Sequence, residues 1–317
     1  MKTWQKVMFV SVLAVFICLS VMLTFVSIAR KTFEFKHETS VGSVEGLDGY
    51  VFHGFSGNAS VKDVHIDFVR DEKGKNPDES KPVVGVSDFT IVSDEYVEFI
   101  YIGKSVRYID EKAFYYCKKL KAVFVDEENE YFTSVDGCLY SKDMTRLYLH
   151  PIMNGDWLIE QGKSHTGDSF SVPDGVRRIN SCAFYKNDKL VNLTLPDTVE
   201  EIGDMAFFGC SSMKTVRLPE GLKSIGSDAF SYCGSMGPVF YIPKTVEKIG
   251  HHAFFSSNSV TEMYLGAENE DAFESGESWL PKSVKKGLIN KNAVVSYSKT
   301  YADAAARADE LSREEEA

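Results

Sequence analysis

The sequence holds no C-x-x-C pair, no H-E-x-x-H, no G-x-S-x-G elbow and no complete phosphate-binding glycine loop. Each absence removes a chemistry: thiol redox work, zinc hydrolysis, serine acyl transfer and nucleotide binding. Gly-Lys-Ser occurs at Gly103 and Gly162, but the glycine a phosphate loop needs five residues earlier is Glu98 in one case and Trp157 in the other. The seven histidines, His37, His53, His65, His150, His165, His251 and His252, show no metal-ligand spacing. Ser169 in GDSF stands alone. No catalytic residue, cofactor site or metal site is expected, and the chain does not read as an enzyme. The six cysteines include Cys18 inside an apolar run, and the other five, Cys117, Cys138, Cys182, Cys210 and Cys233, cannot all pair within one chain. Buried thiols acting as small hydrophobes fit better than a disulfide scaffold. Positive charge is also scarce: 35 Lys and Arg stand against 46 Asp and Glu, a net charge of −11. With no dense basic block beyond the N-terminus, a nucleic-acid partner is excluded as an expectation.

What the chain does have at its start is an uninterrupted apolar run, Val7 to Ile28, with Ser and Thr as its only polar members. As a helix it would extend roughly 33 Å, enough to cross a bilayer. The expectation is an N-terminal transmembrane signal-anchor over 1–31, single-pass in the cell membrane, with the bulk of the chain extracellular. The alternative is cleavage behind Ala29 and secretion, because Ser27 and Ala29 are small residues at suitable offsets.

The rest of the chain repeats itself. Ala-Phe pairs stand at Ala113-Phe114, Ala183-Phe184, Ala206-Phe207, Ala229-Phe230 and Ala253-Phe254, with spacings of 70, 23, 23 and 24. The longest spacing is close to three periods. A short pattern, apolar-x-x-apolar-x-apolar, fills it: its final members fall at residues 102, 125, 149, 172, 195, 218, 242 and 265. Self-similarity at a fixed step of this size means a stacked solenoid, in which each unit is too small to bury its own core. The alternating end of each pattern predicts a short strand, and V-x-x-I-G-x-x-A-F-x-x-C predicts a second wall at helical or 3₁₀ spacing. Stacking then lays an Ile layer, a Phe layer and partial Cys layers one on another. Eight coils in unbroken register are expected. Two departures stand out: Cys182 precedes its Ala-Phe, and AFFSS places Ser where Cys would be.

The strings VEEIGDMAFFGC, GLKSIGSDAFSYC and SVRYIDEKAFYYC resemble the BspA-like class of leucine-rich repeats, and ENEYFTSVDGCLYSKDMTRLYLHP resembles that family's variant coil with N-x-x-Y and D-G-x-L-Y. The closing stretch NAVVSYSKTYADAAARAD is similar to the strand and helix that follow the last coil in the family. The resemblance implies an α/β-type leucine-rich-repeat solenoid with short parallel strands on one face and 3₁₀ or short helical turns opposite, 23–24 residues per coil. It also implies a non-catalytic cell-surface protein, with adhesion as a described role. The expected layout is a stalk and N-terminal cap over 32–80, the solenoid over 81–266, and an acidic linker with a strand and helix cap over 267–317.

Strand side chains alternate, so the residue between the last two apolar positions of each pattern faces outward. Down the coils that column reads Tyr101, Phe124, Tyr148, Ser171, Thr194, Arg217, Tyr241 and Tyr264, with Phe99 beside it. Aromatic residues suit strands and stack on their neighbours, which alone could produce the column. The same rings also offer the contact area that concentrates at interfaces. The candidate ligand-binding face is therefore Phe99, Tyr101, Phe124, Tyr148, Arg217, Tyr241 and Tyr264. The expected function is a membrane-anchored binding or adhesion module for an extracellular protein or glycan; the alternatives are a non-adhesive structural protein of the cell envelope and, more distantly, a hydrolase.

Overall fold

The computed structural model of the protein describes residues 32–38, 48–56, 61–70, 76–92, 95–163, 167–268, 274–275 and 294–316. Each regular coil lays down three segments, and each stacks on the same segment of the next coil. The first is a strand whose apolar alternation puts one face inward: Ser169–Ser171, Asn192–Thr194 and Thr215–Val216 pair in parallel, with Phe170, Leu193 and Val216 in one register. The second is the two-residue strand ending in Ile. Ile179, Ile202, Ile225 and Ile249 align Cα to Cα, all buried, and form the expected Ile layer. The glycine after Ile202, Ile225 and Ile249 is there for backbone proximity. A Cβ on Gly203, Gly226 or Gly250 would lie 2.5, 2.5 or 2.3 Å from a backbone nitrogen of the preceding coil.

The third segment is the Ala-Phe turn. Phe184, Phe207, Phe230 and Phe254 are buried and stack in sequence, with ring centroids 5.0, 5.1 and 5.4 Å apart. The expected 3₁₀ or short helical geometry needs correction here, since none of these turns forms a 3₁₀ helix. Alternate N–H groups point within the coil and to the next one: Tyr185 donates to Cys182, whereas Phe184 and Lys186 donate to Ala206 and Phe208. Left-handed residues such as Cys182 (φ 60°) and Lys186 (φ 53°) produce that alternation. Three residues after each Phe, a side chain closes the turn. Cys210 and Cys233 donate to the carbonyls of Phe184 and Phe207 at 3.2 and 3.1 Å, and Ser257 donates to that of Phe230 at 2.7 Å. Serine for cysteine in AFFSS thus preserves one hydrogen bond.

The unbroken register of eight coils also needs correction. Residues 126–163 do not make an ordinary coil. Asp136 and Gly137, both left-handed, close an antiparallel hairpin between Phe132–Val135 and Cys138–Ser141, and Arg146–Leu149 adds to it. Arg146–Leu149 then pairs with Arg178–Ile179, so it belongs to the Ile-ending ladder. On the strand face its place is taken by the seven-residue helix Asn154–Glu160. The hairpin is a partition. Leu139 and Leu149 pack on an N-terminal core with Ile100, Ile102 and Val123, while Tyr140 and Leu147 pack on a C-terminal core with Ile179 and Phe184. Around its outer edge the two halves meet directly, because the rings of Tyr115 and Tyr185 lie 4.1 Å apart across 70 residues of sequence. The longest Ala-Phe spacing therefore contains no stacked Ala-Phe turns.

Ahead of the partition, Asp63–Ile66, Phe99–Ile102 and Ala122–Val125 form a parallel three-stranded ladder. The ladder begins before residue 81, where the repeats were expected to start, because Val64 and Ile66 fill the inward places beside Ile100 and Ile102. A further sheet joins Thr32–Glu38, Gly49–Ser56, Pro77–Val86 and Phe68–Arg70, and leads into the repeats through Gly85–Val86 beside Tyr108–Ile109. At the other end Val294–Ser296 pairs with Glu262–Tyr264, and the sixteen-residue helix Tyr301–Glu316 follows. Its start is a capping box: Thr300 N–H donates to Asp303 at 2.7 Å, and Asp303 N–H to the Thr300 hydroxyl at 3.2 Å.

The expected membrane anchor is corrected as well. Among the described residues no helix is long and apolar enough to cross a membrane. The longer of their two helices carries Asp303, Arg307, Asp309, Glu310 and Arg313. The run Val7 to Ile28 lies outside the described residues. The transmembrane segment, the membrane as a partner and the single-pass location drop out of the account.

Candidate functional site

The three-stranded ladder ahead of the partition turns alternate side chains outward. Val64, Ile100 and Val123 are fully buried, so His65, Tyr101 and Phe124, one residue on, face solvent in one register. Their rings stack. His65 and Tyr101 lie 4.4 Å apart at 7°, and Tyr101 and Phe124 lie 5.2 Å apart at 22°. The helix Asn154–Glu160 extends the row by setting Trp157 edge-on to Phe124 at 6.0 Å, and Phe99 tilts against Phe124 at the same separation. Beside the rings runs a line of alternating charge. Glu98 pairs with Lys62 at 2.7 Å and Lys121 at 3.3 Å, and Lys121 reaches Glu160 at 3.5 Å. The hydrogen bond from Lys62 does most to hold the Glu98 carboxyl below the ordinary carboxylate range. Burial, with the nearby Asp63 charge, pushes the Tyr101 phenol up, so it stays protonated and can donate.

Of the seven residues expected on one face, the structure brings together Phe99, Tyr101 and Phe124. Tyr148 is on the opposite ladder, edge-on to Phe132 at 5.3 Å. Ser171 and Thr194 interrupt the column with exposed small side chains. Beyond them the C-terminal helix covers the strand face. Tyr241 is 9% exposed and lies edge-on to Tyr301 at 6.1 Å, and Arg217 sits over the Tyr301 ring at 4.6 Å. Tyr264 is half-buried, with its hydroxyl 3.2 Å from Glu262 and Lys299 over its ring. One row of eight has become a ring cluster at one end and a helix-covered patch at the other.

Sequence reasoning missed His65, which stands between Val64 and Ile66 but 36 residues ahead of its ladder partner Tyr101 instead of 23 or 24, and Trp157, which lies on a helix. It also missed a second row of rings on the turn edge: Phe89, Tyr115, Tyr185, Phe208, Tyr232 and Phe255 follow one another with centroids 4.1 to 5.5 Å apart. The signal was present in the residue after Ala-Phe, which is Tyr115, Tyr185, Phe208 and Phe255 in four of the five copies.

No reactive centre accompanies either row. Burial pushes the Cys182 and Cys233 thiols up to about 12 and Cys210 well above its ordinary value, so none supplies a thiolate nucleophile. Among the described residues no group of three or more His, Cys, Asp or Glu could hold a metal ion.

Stacked short strands, an Ile ladder and a Phe ladder at a 23-residue step define a leucine-rich-repeat scaffold. Residues 89–149 and 163–275 match the BspA type leucine rich repeat region in six copies, and the chain belongs to that family. As a member it is a non-catalytic repeat scaffold. The unmatched interval contains the helix Asn154–Glu160. Among solved structures it is similar in fold to the pneumococcal vaccine antigen PcpA, at 20% identity over 76% of this chain and 69% of that one, with a TM-score of 0.52. A leucine rich cell surface protein from Faecalibacterium prausnitzii is similar at 19% identity and the same TM-score, covering 77% of this chain; this chain spans 62% of that protein's length. No curated protein matches it.

Proposed function

We propose that this protein is an extracellular binding module whose ligand face is the ring cluster of His65, Phe99, Tyr101, Phe124 and Trp157. The observation that carries the reading is the stack itself, rings held in one register by strands with fully buried neighbours. Rigid aromatic anchors lose little conformational entropy on binding and dominate interface energies. The fold likeness to a described cell surface protein supports an extracellular setting.

The stack favours a protein partner over a glycan. Both faces of Tyr101 are covered, by His65 on one side and Phe124 on the other, so a sugar ring cannot lie on it. Ring edges, the Tyr101 hydroxyl and the paired charges beside them suit an apolar patch with a polar rim. The test is to probe extracellular matrix proteins and a glycan array with the purified protein. Binding to a protein that is lost in the Tyr101→Ser/Phe124→Ser double variant, with its melting temperature retained, is the expected result. Binding confined to glycans, or unaffected by the double variant, would remove this face from the reading.

A further inference from the structure

The C-terminal helix leaves a groove of about 380 Å³ between itself and the strand face. Its floor is Leu193, Val216 and Tyr241, and its helical wall is Ala304, Ala305 and Ala308. The helix is fixed in place by the Thr300/Asp303 capping box, by Arg307 to Glu262 at 2.9 Å and by buried Ala304. Tyr301, the first residue of the helix, lines one end of the groove, and beyond it only the methyl groups of the three alanines form the wall, so the space above the strands stays open.

The charged residues that line the groove are of one sign, while the carboxylates of Glu220 and Asp303 stand near Tyr241 outside that lining. In a chain of net charge −11, no Asp or Glu lines the groove, and its two charged lining residues are Lys214 and Arg217. Among the described residues neither has a carboxylate partner; Arg217 rests on the Tyr301 ring at 4.6 Å. An apolar trough with two cations lacking counter-ions matches a ligand with an apolar body and an anionic head. At roughly 30 Å³ for each water-sized atom group, the groove has room for about a dozen heavy atoms.

We propose that this groove is a second binding site, separate from the ring cluster, which takes a medium-chain fatty carboxylate: the tail lies along Leu193, Val216 and the alanines, and the head lies between Lys214 and Arg217. Helix and sheet then close on the ligand from two sides, so occupancy also tightens the helix against the solenoid. Neutral amphiphiles of equal length should bind more weakly, because they lack the charge that Lys214 and Arg217 attract.

Titration calorimetry with decanoate, and with decanamide as the neutral match, tests the assignment on the whole protein. Decanoate is expected to bind at least tenfold more tightly than decanamide, and added salt should narrow the gap. Ala305→Leu fills the trough and should abolish binding of both. Lys214→Gln, which touches no stacked ring, should weaken decanoate several-fold while leaving the helix in place, and adding Arg217→Gln should bring decanoate down to the level of decanamide. Equal binding of the two probes, binding undisturbed by Ala305→Leu, or no binding of decanoate at millimolar concentration would each overturn the proposal.

Discussion

Replacing Phe207 by Ala tests the stacked core at its centre. Phe207 is fully buried, with Phe184 on one face at 5.0 Å and 24° and Phe230 on the other at 5.1 Å and 18°. Burial of the ring is worth about 1.5–3 kcal/mol, and each stacked pair adds about 0.5–1.5 kcal/mol. The neighbouring coils are tied by backbone bonds on both sides, from Phe207 N–H to Ala229 and from Phe184 N–H to Ala206, so they cannot collapse into the void. The expected loss is about 3–5 kcal/mol, the range for an aromatic residue truncated in a packed core. In a domain of this size that lowers the melting temperature by about 10 °C. Phe208, one residue on, is half-buried and stacks flat only on Tyr185, at 5.0 Å and 5°; its Ala variant should lose about 1 kcal/mol. Urea unfolding followed by circular dichroism measures both. If Phe207→Ala lost less than about 1.5 kcal/mol, or no more than Phe208→Ala, the inward Phe ladder would not be the source of stability argued here.

Other consequences follow from the turn chemistry. Ser257→Ala should cost about 1–3 kcal/mol by leaving the buried Phe230 carbonyl unsatisfied, whereas Ser257→Cys should be nearly neutral because Cys210 and Cys233 make the same bond; thermal melts of the two variants separate the cases. Ser256→Gly should raise stability by up to about 1 kcal/mol, because Ser256 sits at φ 56° where the equivalent place two coils earlier holds Gly209 at φ 71°; a lowered melting point would show that the serine side chain contributes. Stability should fall as pH rises above about 9. Burial lifts Cys182 and Cys233 from an ordinary 9.0 to about 12, so between those values the unfolded chain releases protons that the folded chain retains, a loss of up to about 1.4 kcal/mol per pH unit for each thiol. Cys233→Ser should flatten that slope, and an unchanged slope would place the alkaline sensitivity elsewhere.

The period was legible because stacking forces like onto like. Ile202 must meet Ile225 and Phe207 must meet Phe230, so the same residues recur at the same offset. Which ladder a strand joins was not legible in the same way. RLYL at 146–149 has the apolar alternation of FIYI at 99–102, and periodicity carries no label for the sheet on which a strand lies. Asp136-Gly137 was the available clue, since Asp-Gly between apolar runs is the type I′ hairpin signal, and that turn diverts the chain into the partition. The ring face was readable only in part for the same reason. Tyr101 and Phe124 share a ladder, while Tyr148 left it with the hairpin. Tyr241 was covered by a helix whose sequence is visible but whose docking position depends on Arg307 meeting Glu262, 45 residues away. The run Val7 to Ile28 satisfies the length rule for a bilayer span, yet among the described residues no helix capable of spanning a membrane is found.

The most direct test of the central claim, that the ring cluster ahead of the partition is the ligand face, is a comparison of affinities for one captured ligand between the wild-type protein, Tyr101→Ser/Phe124→Ser and Tyr264→Ser. Loss of two stacked anchors should weaken binding by at least about tenfold, and Tyr264→Ser, on the strand face beyond the partition, should leave it unchanged. Weakening by Tyr264→Ser with the double variant unaffected would contradict the account and move the site to the C-terminal half.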